Sequence, residues 1–226
     1  MTDLFSTALF GFPDSAKDFD ESVKFLSNVY KSGITTCVLT PPCTLHRKGD
    51  TERFLEIRNK NFEQIKNQNL NGLPNVLLGA RVVMDHDLSL HDKIDKLCIG
   101  NGKYLLVKLP DFARINDFDE WIYNLNMKGI IPIVANLDKL KLKKDLIDNL
   151  TSVKVYYQVS ASTINSLLKR KLVKKLISSK KKFFISSDTH NFSSTIFNID
   201  GTLEKAKKYF PKNFSSFFIN DFNFFI

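Results

Sequence analysis

The chain lacks most of the features that would assign it at a glance. No apolar run reaches about 18 residues, which excludes a membrane-spanning helix and any expectation of membrane insertion. The opening Met1-Thr2-Asp3-Leu4 has none of the basic-then-apolar layout of a signal peptide, so a soluble, cytoplasmic protein is expected. Cysteine is scarce. Cys37, Cys43 and Cys98 show no C-x2-C spacing, and free thiols in a reducing compartment follow. Internal repeats and low-complexity stretches are absent as well. The net charge of +9 invites a nucleic-acid partner. No aromatic–basic RNA-binding signature or C2H2 pattern accompanies it, however. The lysines from Lys139 to Lys144 and from Lys169 to Lys182 alternate with apolar positions, as on solvated helix faces. Nucleic acid is therefore not an expected partner.

What is present suits one α/β domain spanning all 226 residues, 43% of them hydrophobic. Short apolar runs at Leu4–Phe10, Thr35–Thr40, Val76–Val83, Tyr104–Leu109, Ile130–Ala135, Val153–Val159 and Phe183–Ser187 read as strands. Between them, helical patterns are predicted from Asp20 to Lys31, over 50–69, from His91 to Leu97, from Phe118 to Lys128, from Leu142 to Leu150 and from Ser162 to Ser179. A last helix is predicted from Thr202 to Tyr209. Gly33 and Gly129 stop two of these helices, and Pro41-Pro42 stops the second strand. Strands alternating with helices predict βαβ units and a mainly parallel sheet; seven of them favour a TIM-like (β/α) barrel, regular or distorted. The segment from Phe210 to Ile226 carries seven phenylalanines. Core packing, a hydrophobic partner surface and a fold over the barrel mouth are all open readings of it.

The last strand ends in Ser187-Asp188-Thr189-His190-Asn191. Residues i and i+2 of an extended chain share a side, so Asp188 and His190 can aim at one spot. The carboxyl ends of parallel strands are where α/β folds place their chemistry. The other reading is that Asp188 caps a turn and His190 is a surface loop residue. Cys43, near the second strand's mouth, has no following Cys-x5-Arg loop and reads as a free loop thiol. His86, between Asp85 and Asp87, and His91 have no third ligand at useful spacing and read as a surface turn.

Four pieces point further: Lys103-Tyr104-Leu105-Leu106-Val107, Lys128-Gly129-Ile130-Ile131-Pro132-Ile133, Gln158-Val159-Ser160-Ala161 and the Ser-Asp-x-His-Asn stretch. Their order resembles the PHP superfamily and, more narrowly, the capsule-operon tyrosine phosphatases of the CpsB or YwqE type, from Asp3 to about Tyr209. The resemblance implies a distorted (β/α)7 barrel. It also implies hydrolysis of phosphotyrosine on a partner tyrosine kinase by a cluster of manganese-type ions at the strand mouths.

Such a cluster needs many nitrogen and oxygen donors, and this sequence departs from the pattern at most of them. The family's Asp-x-His-x-His stands here as Asp3-Leu4-Phe5-Ser6-Thr7, without its histidines. Thr-Pro-His is Thr40-Pro41-Pro42, and Gly-x-Glu is Gly79-Ala80-Arg81. The glutamate that closes the Tyr-Leu-Leu strand is Lys108, and Ala-His-Pro-Glu-Arg is Ala135-Asn136-Leu137-Asp138-Lys139. Asp14, Asp188 and His190 remain. Two of the lost donors were acids and both became cations, so Asp14 and Asp188 are balanced by Arg81 and Lys108 without any ion. The resemblance thus implies a vestigial site of Asp14, Arg81, Lys108, Asn136, Asp188 and His190, with Arg81 and Lys108 pairing with Asp188 and Asp14. Arg81, Lys108 and Lys139 become anion-binding candidates, no cofactor is expected, and the partner is a tyrosine kinase or a phosphotyrosine ligand. The alternative is an active phosphatase with a single Mn2+-type ion at Asp14, Asp188 and His190.

Overall fold

The computed structural model describes residues 2–67, 71–110, 115–141, 143–187, 199–210 and 214–219. Strand β1 (Thr2–Ser6) leads to helix α1 (Phe19–Lys31), which Asp18 caps by accepting the Glu21 N–H at 2.8 Å. Next come β2 (Thr36–Leu39), β3 (Pro42–Cys43) and α2 (Asp50–Lys66). Strands β4 (Asn75–Leu78) and β5 (Arg81–Val83) follow, then β6 (Tyr104–Lys108), α3 (Ile115–Met127), β7 (Ile131–Val134) and α4 (Lys143–Asn149). Strand β8 (Tyr156–Ser160), α5 (Ser162–Asn165), α6 (Arg170–Ser178), β9 (Phe183–Ser186), α7 (Ile199–Tyr209) and α8 (Phe214–Phe217) complete the chain. Between Leu88 and Asn101 the predicted helix at His91–Leu97 is replaced by short 3-10 turns, one of them Ile94–Leu97.

Every strand pairing is parallel, as the alternation of strands and helices predicts, but the strands form no closed sheet. They make two sheets, in the orders β1-β2-β4 and β3-β5-β6-β7-β8-β9. The division has a local cause. Pro41 and Pro42 have no N–H to donate, so the second predicted strand ends as β2, and the chain pairs again as β3 only from Pro42, past the predicted stop. The third breaks at Gly79-Ala80 into β4 and β5. Hydrogen bonds from Gly79 N–H to Leu39 O (2.9 Å) and from Arg81 N–H to Pro41 O (3.0 Å) carry the pairing across both breaks. Nine strands less these two breaks leave the seven strand positions that the sequence predicts.

The second departure from a barrel lies between the first strand and the last. On the free edge of β9, Phe183 O accepts the Ile219 N–H at 2.9 Å and Ser187 N–H donates to the Asp3 side chain at 3.0 Å. A tail residue and a carboxylate thus occupy places that a main-chain ladder to β1 would fill. The tail resolves in favour of packing. Phe210 and Phe214 are buried and stack at 6.0 Å, Phe214 stacks on Phe218 at 4.8 Å, and Phe183 meets Phe214 at 6.0 Å. Phe183 opens β9, so the described tail sits at the amino end of that strand, away from the mouth. Residues 220–226 lie outside the described residues.

Alternation along the strands sorts two cores. Leu105, Val107, Tyr157 and Val159 pack against Phe118 and Ile122 of α3 and Val173 and Leu176 of α6. On the opposite face Phe5, Val38, Leu106, Ile133 and Phe184 share one inner cluster, so the strands curve round a common interior. Burial of these side chains, at about 25 cal/mol per Å2 of apolar surface, is the main force holding the curve. Among the described residues no helix is long and apolar enough to cross a membrane.

Candidate functional site

The inner face carries an aromatic layer and, towards the carboxyl ends of the strands, a polar one. Tyr104 and Tyr156 stack at 5.8 Å, and Tyr156 meets Phe184 edge-on at 6.4 Å. Two residues further along the same strands stand Leu106, Gln158 and Ser186, and period-two alternation keeps them on the inner face. Gln158 and Ser186 are fully buried.

Arg81 joins this layer. It is paired in register with Leu106, is only 6% exposed, and lays its guanidinium 4.7 Å from the centroid of the Phe5 ring. A cation on an aromatic face in a desolvated site is worth about 2 kcal/mol. Lys108 lies on the same face one step nearer the mouth, paired with Val83, and is exposed. Asn136 follows β7 in the left-handed region (φ 52°), which asparagine tolerates, and donates its N–H to Gln158 Oε1 at 2.6 Å. Thr7 Oγ1, Asn136 Oδ1, Gln158 Nε2 and Ser186 Oγ are buried with no hydrogen-bond partner among the described residues. Buried polar atoms are nearly always satisfied, so a run of them marks a place for water or a ligand.

Other predicted site residues behave differently. Asp14 is exposed in a left-handed turn (φ 54°) of the β1–α1 loop. The expected Lys108–Asp14 pair is not among the ion pairs of the described residues: both side chains face solvent, where a single pair is worth little. Lys139 is exposed after β7. Asp188 and His190, and with them the expected Arg81–Asp188 pair, lie outside the described residues. Cys43 is no loop thiol. It is a buried residue of β3, and burial pushes its thiol up to about 12, which removes it as a nucleophile at neutral pH.

Two carboxylates that the sequence reading passed over hold the site's frame. Asp3 is fully buried and accepts both the N–H and the hydroxyl of Ser187, so β1 grips the residue just before Asp188. Asp138, also buried, accepts Ser160 N–H at 2.9 Å and Ser160 Oγ–H at 2.7 Å, tying the loop after β7 to β8. For Asp3 the available signal was an acid in an otherwise apolar strand, since buried acids persist only when hydrogen-bonded or paired.

The reading of His86 and His91 as a turn without a third ligand is corrected as well. The fold brings His46, from the loop after β3, to Asp85 and His86 in the loop after β5; their donor atoms lie within 4.8 Å of one another.

A parallel α/β fold of seven strand positions, with a polar inner mouth, defines the class. Within it, the family model for capsular polysaccharide synthesis proteins, CpsB/CapC, matches residues 1–222, and the chain belongs to that family. It is 25% identical over 210 residues to the tyrosine-protein phosphatase CpsB of Streptococcus agalactiae, covering 88% of this chain and 84% of that one. To the CapC protein of Staphylococcus aureus it is 26% identical over 233 residues, covering 94% and 86%. Among solved structures it is similar to YwqE from Bacillus subtilis and CpsB from Streptococcus pneumoniae, described as unique metal-dependent tyrosine phosphatases. The TM-score is 0.70 at 20% identity, over 93% of this chain and 87% of that one.

The donors described at this mouth do not fit a cluster of divalent ions. Where the family pattern has histidine and glutamate, Phe5 and Arg81 are packed against each other and buried. An arriving ion would meet a resident cation and an apolar ring in place of two ligands.

Proposed function

We propose that this chain is a non-hydrolytic CpsB/CapC protein, a binding or regulatory member whose mouth takes a phosphorylated group without cleaving it. The phosphotyrosine of a partner tyrosine kinase, the substrate class named for its relatives, is the ligand we infer. One observation carries the reading: the buried Arg81–Phe5 contact in the place of two metal donors. A fixed guanidinium in a poorly solvated site repels a divalent ion and favours an anion, and its planar fork matches two phosphate oxygens. Gln158 Nε2 and the hydroxyls of Thr7 and Ser186 supply further donors without partners among the described residues. Lys108 at the rim and Lys139 beyond it add positive charge. Such a site binds phosphate by charge-assisted hydrogen bonds. It offers no group to generate hydroxide, the step for which metal phosphatases use their ions.

The test is paired. Phosphotyrosine titrated into the full chain should bind saturably, and Arg81→Ala should weaken that binding. With para-nitrophenyl phosphate and added Mn2+, turnover should stay at the buffer rate. Saturable Mn2+-dependent turnover, abolished by His190→Ala, would instead establish an active phosphatase with a reduced site at Asp14, Asp188 and His190.

A further inference from the structure

Three of the chain's four histidines gather on one side of the mouth, on two loops that are distant in sequence. His46 Nδ1 lies 3.8 Å from Asp85 Oδ2, and His86 Nδ1 lies 2.6 Å from Asp85 Oδ1. His86 Nε2 is 2.6 Å from His91 Nε2. We propose that His46, Asp85 and His86 form a mononuclear site for a divalent transition-metal ion of the Zn2+ type, with His91 orienting His86. The site uses none of the residues on which the reading of the inner mouth rests.

Donor chemistry comes first. Two imidazoles and one carboxylate are the set that Zn2+ and its neighbours in the first transition row accept, with a further position left for water or an anion. Tetrahedral bonds of about 2.0–2.2 Å place donors about 3.4 Å apart. The gap between His46 and Asp85 needs only a small closure to meet this. The short His86–Asp85 hydrogen bond must open, and the ion then takes the place of the shared proton.

Proton placement is consistent with that exchange. Without an ion, His86 donates Nδ1–H to Asp85 and accepts from His91 at Nε2. With the ion on Nδ1, the neutral His86 ring carries its proton on Nε2 and donates it to His91, whose own proton moves to Nδ1. Both rings stay neutral and no net proton is lost. Metal-bound histidines are typically held in this way by a partner on the second nitrogen.

The loops are also fixed beforehand. Asp50, the first residue of α2, accepts the N–H groups of His46 at 2.9 Å and Arg47 at 2.8 Å. Asp87 accepts Ser89 N–H at 2.9 Å and the Asn124 side chain of α3 at 2.8 Å, while Met84 N–H donates to Lys108 O at 2.9 Å. His46 and His91 line a cleft of about 400 Å3 that also carries Arg47 and Lys48.

The experiment uses tag-free full-length protein stripped with chelator. Zn2+ is titrated calorimetrically, and Co2+ is followed by its visible absorption. One equivalent should bind, with the intense Co2+ bands of a four-coordinate site. His46→Ala and His86→Ala should each lower Zn2+ affinity at least 100-fold, and His91→Gln about 10-fold, with unchanged circular dichroism. His190→Ala, which alters the remaining histidine, should leave the affinity as it was. Binding of less than a tenth of an equivalent at micromolar Zn2+, or affinity that survives His46→Ala and His86→Ala, overturns the proposal. Loss on His190→Ala alone would do the same, and would place the ion in the inner mouth, against the non-hydrolytic reading as well.

Discussion

Two places at the same end of the sheet differ in chemical character. The inner mouth, where the family pattern supplies histidines and acids, holds a buried guanidinium against a phenylalanine ring. A short way along, the loops after β3 and β5 hold three imidazoles and a carboxylate. The mouth is cationic and partly apolar; the loops carry nitrogen and oxygen donors. The comparison teaches that a fold can keep its frame while its charged groups are redistributed. The frame is set by main-chain pairing and apolar burial, which do not depend on what the strand ends carry.

The comparison can be attacked in order of effect. Asp3→Ala should be the most damaging change, because it strips the acceptor from two donors of Ser187 in a buried seam. A loss of about 3 kcal/mol is expected. For a chain of this size that is roughly 6–12 °C in thermal midpoint. Zn2+ affinity should not follow it, since the loops are braced by Asp50 and Asp87. If both fell together, the mouth and the loops would be one unit.

Arg81→Ala comes next. Phosphotyrosine binding should weaken about tenfold, or ~1.4 kcal/mol, while exposed Lys108→Ala should cost only two- to threefold by the same titration. Equal effects would place the ligand at the rim and not beside Phe5.

A smaller effect is expected with pH. His91 is held below its unfolded value of about 6.5, chiefly by burial and then by His86, with Asp50, Asp92 and Asp85 opposing. The unfolded chain therefore takes up a proton first as the solution is acidified. Stability is full above about pH 6.5, falls below it, and levels off once the folded His91 also titrates. Denaturant titrations from pH 7.5 to 5 should show that limb, flattened in His91→Gln.

The smallest effect is a null one. Phe5→His with Thr7→His should restore no Mn2+-dependent turnover in a para-nitrophenyl phosphate assay, because Arg81 still occupies the acidic position. Turnover in that double variant would mean that the apolar ring, and not the cation, had silenced the mouth.

Much of this was legible beforehand. Strand alternation and the stops at Gly33 and Gly129 are local patterns, and they predicted the parallel α/β order. Closure of the barrel was not legible, since Pro41-Pro42 and Gly79-Ala80 break strands only in a way their neighbours decide. Nor was the Lys108–Asp14 pair predictable: complementary charge on paper says nothing of two exposed side chains held on separate loops. Asp3 and Asp138 were overlooked because their partners, Ser187 and Ser160, lie far along the chain.

The sequence by itself determined the alternation of strands and helices and the family to which they belong, because each is written in neighbouring residues. Only the tertiary structure decided which distant groups meet. It put Arg81 on Phe5, the tail on the edge of β9, and His46 beside Asp85 and His86. Such contacts depend on how packed layers fold loops together, and no spacing along the chain encodes them.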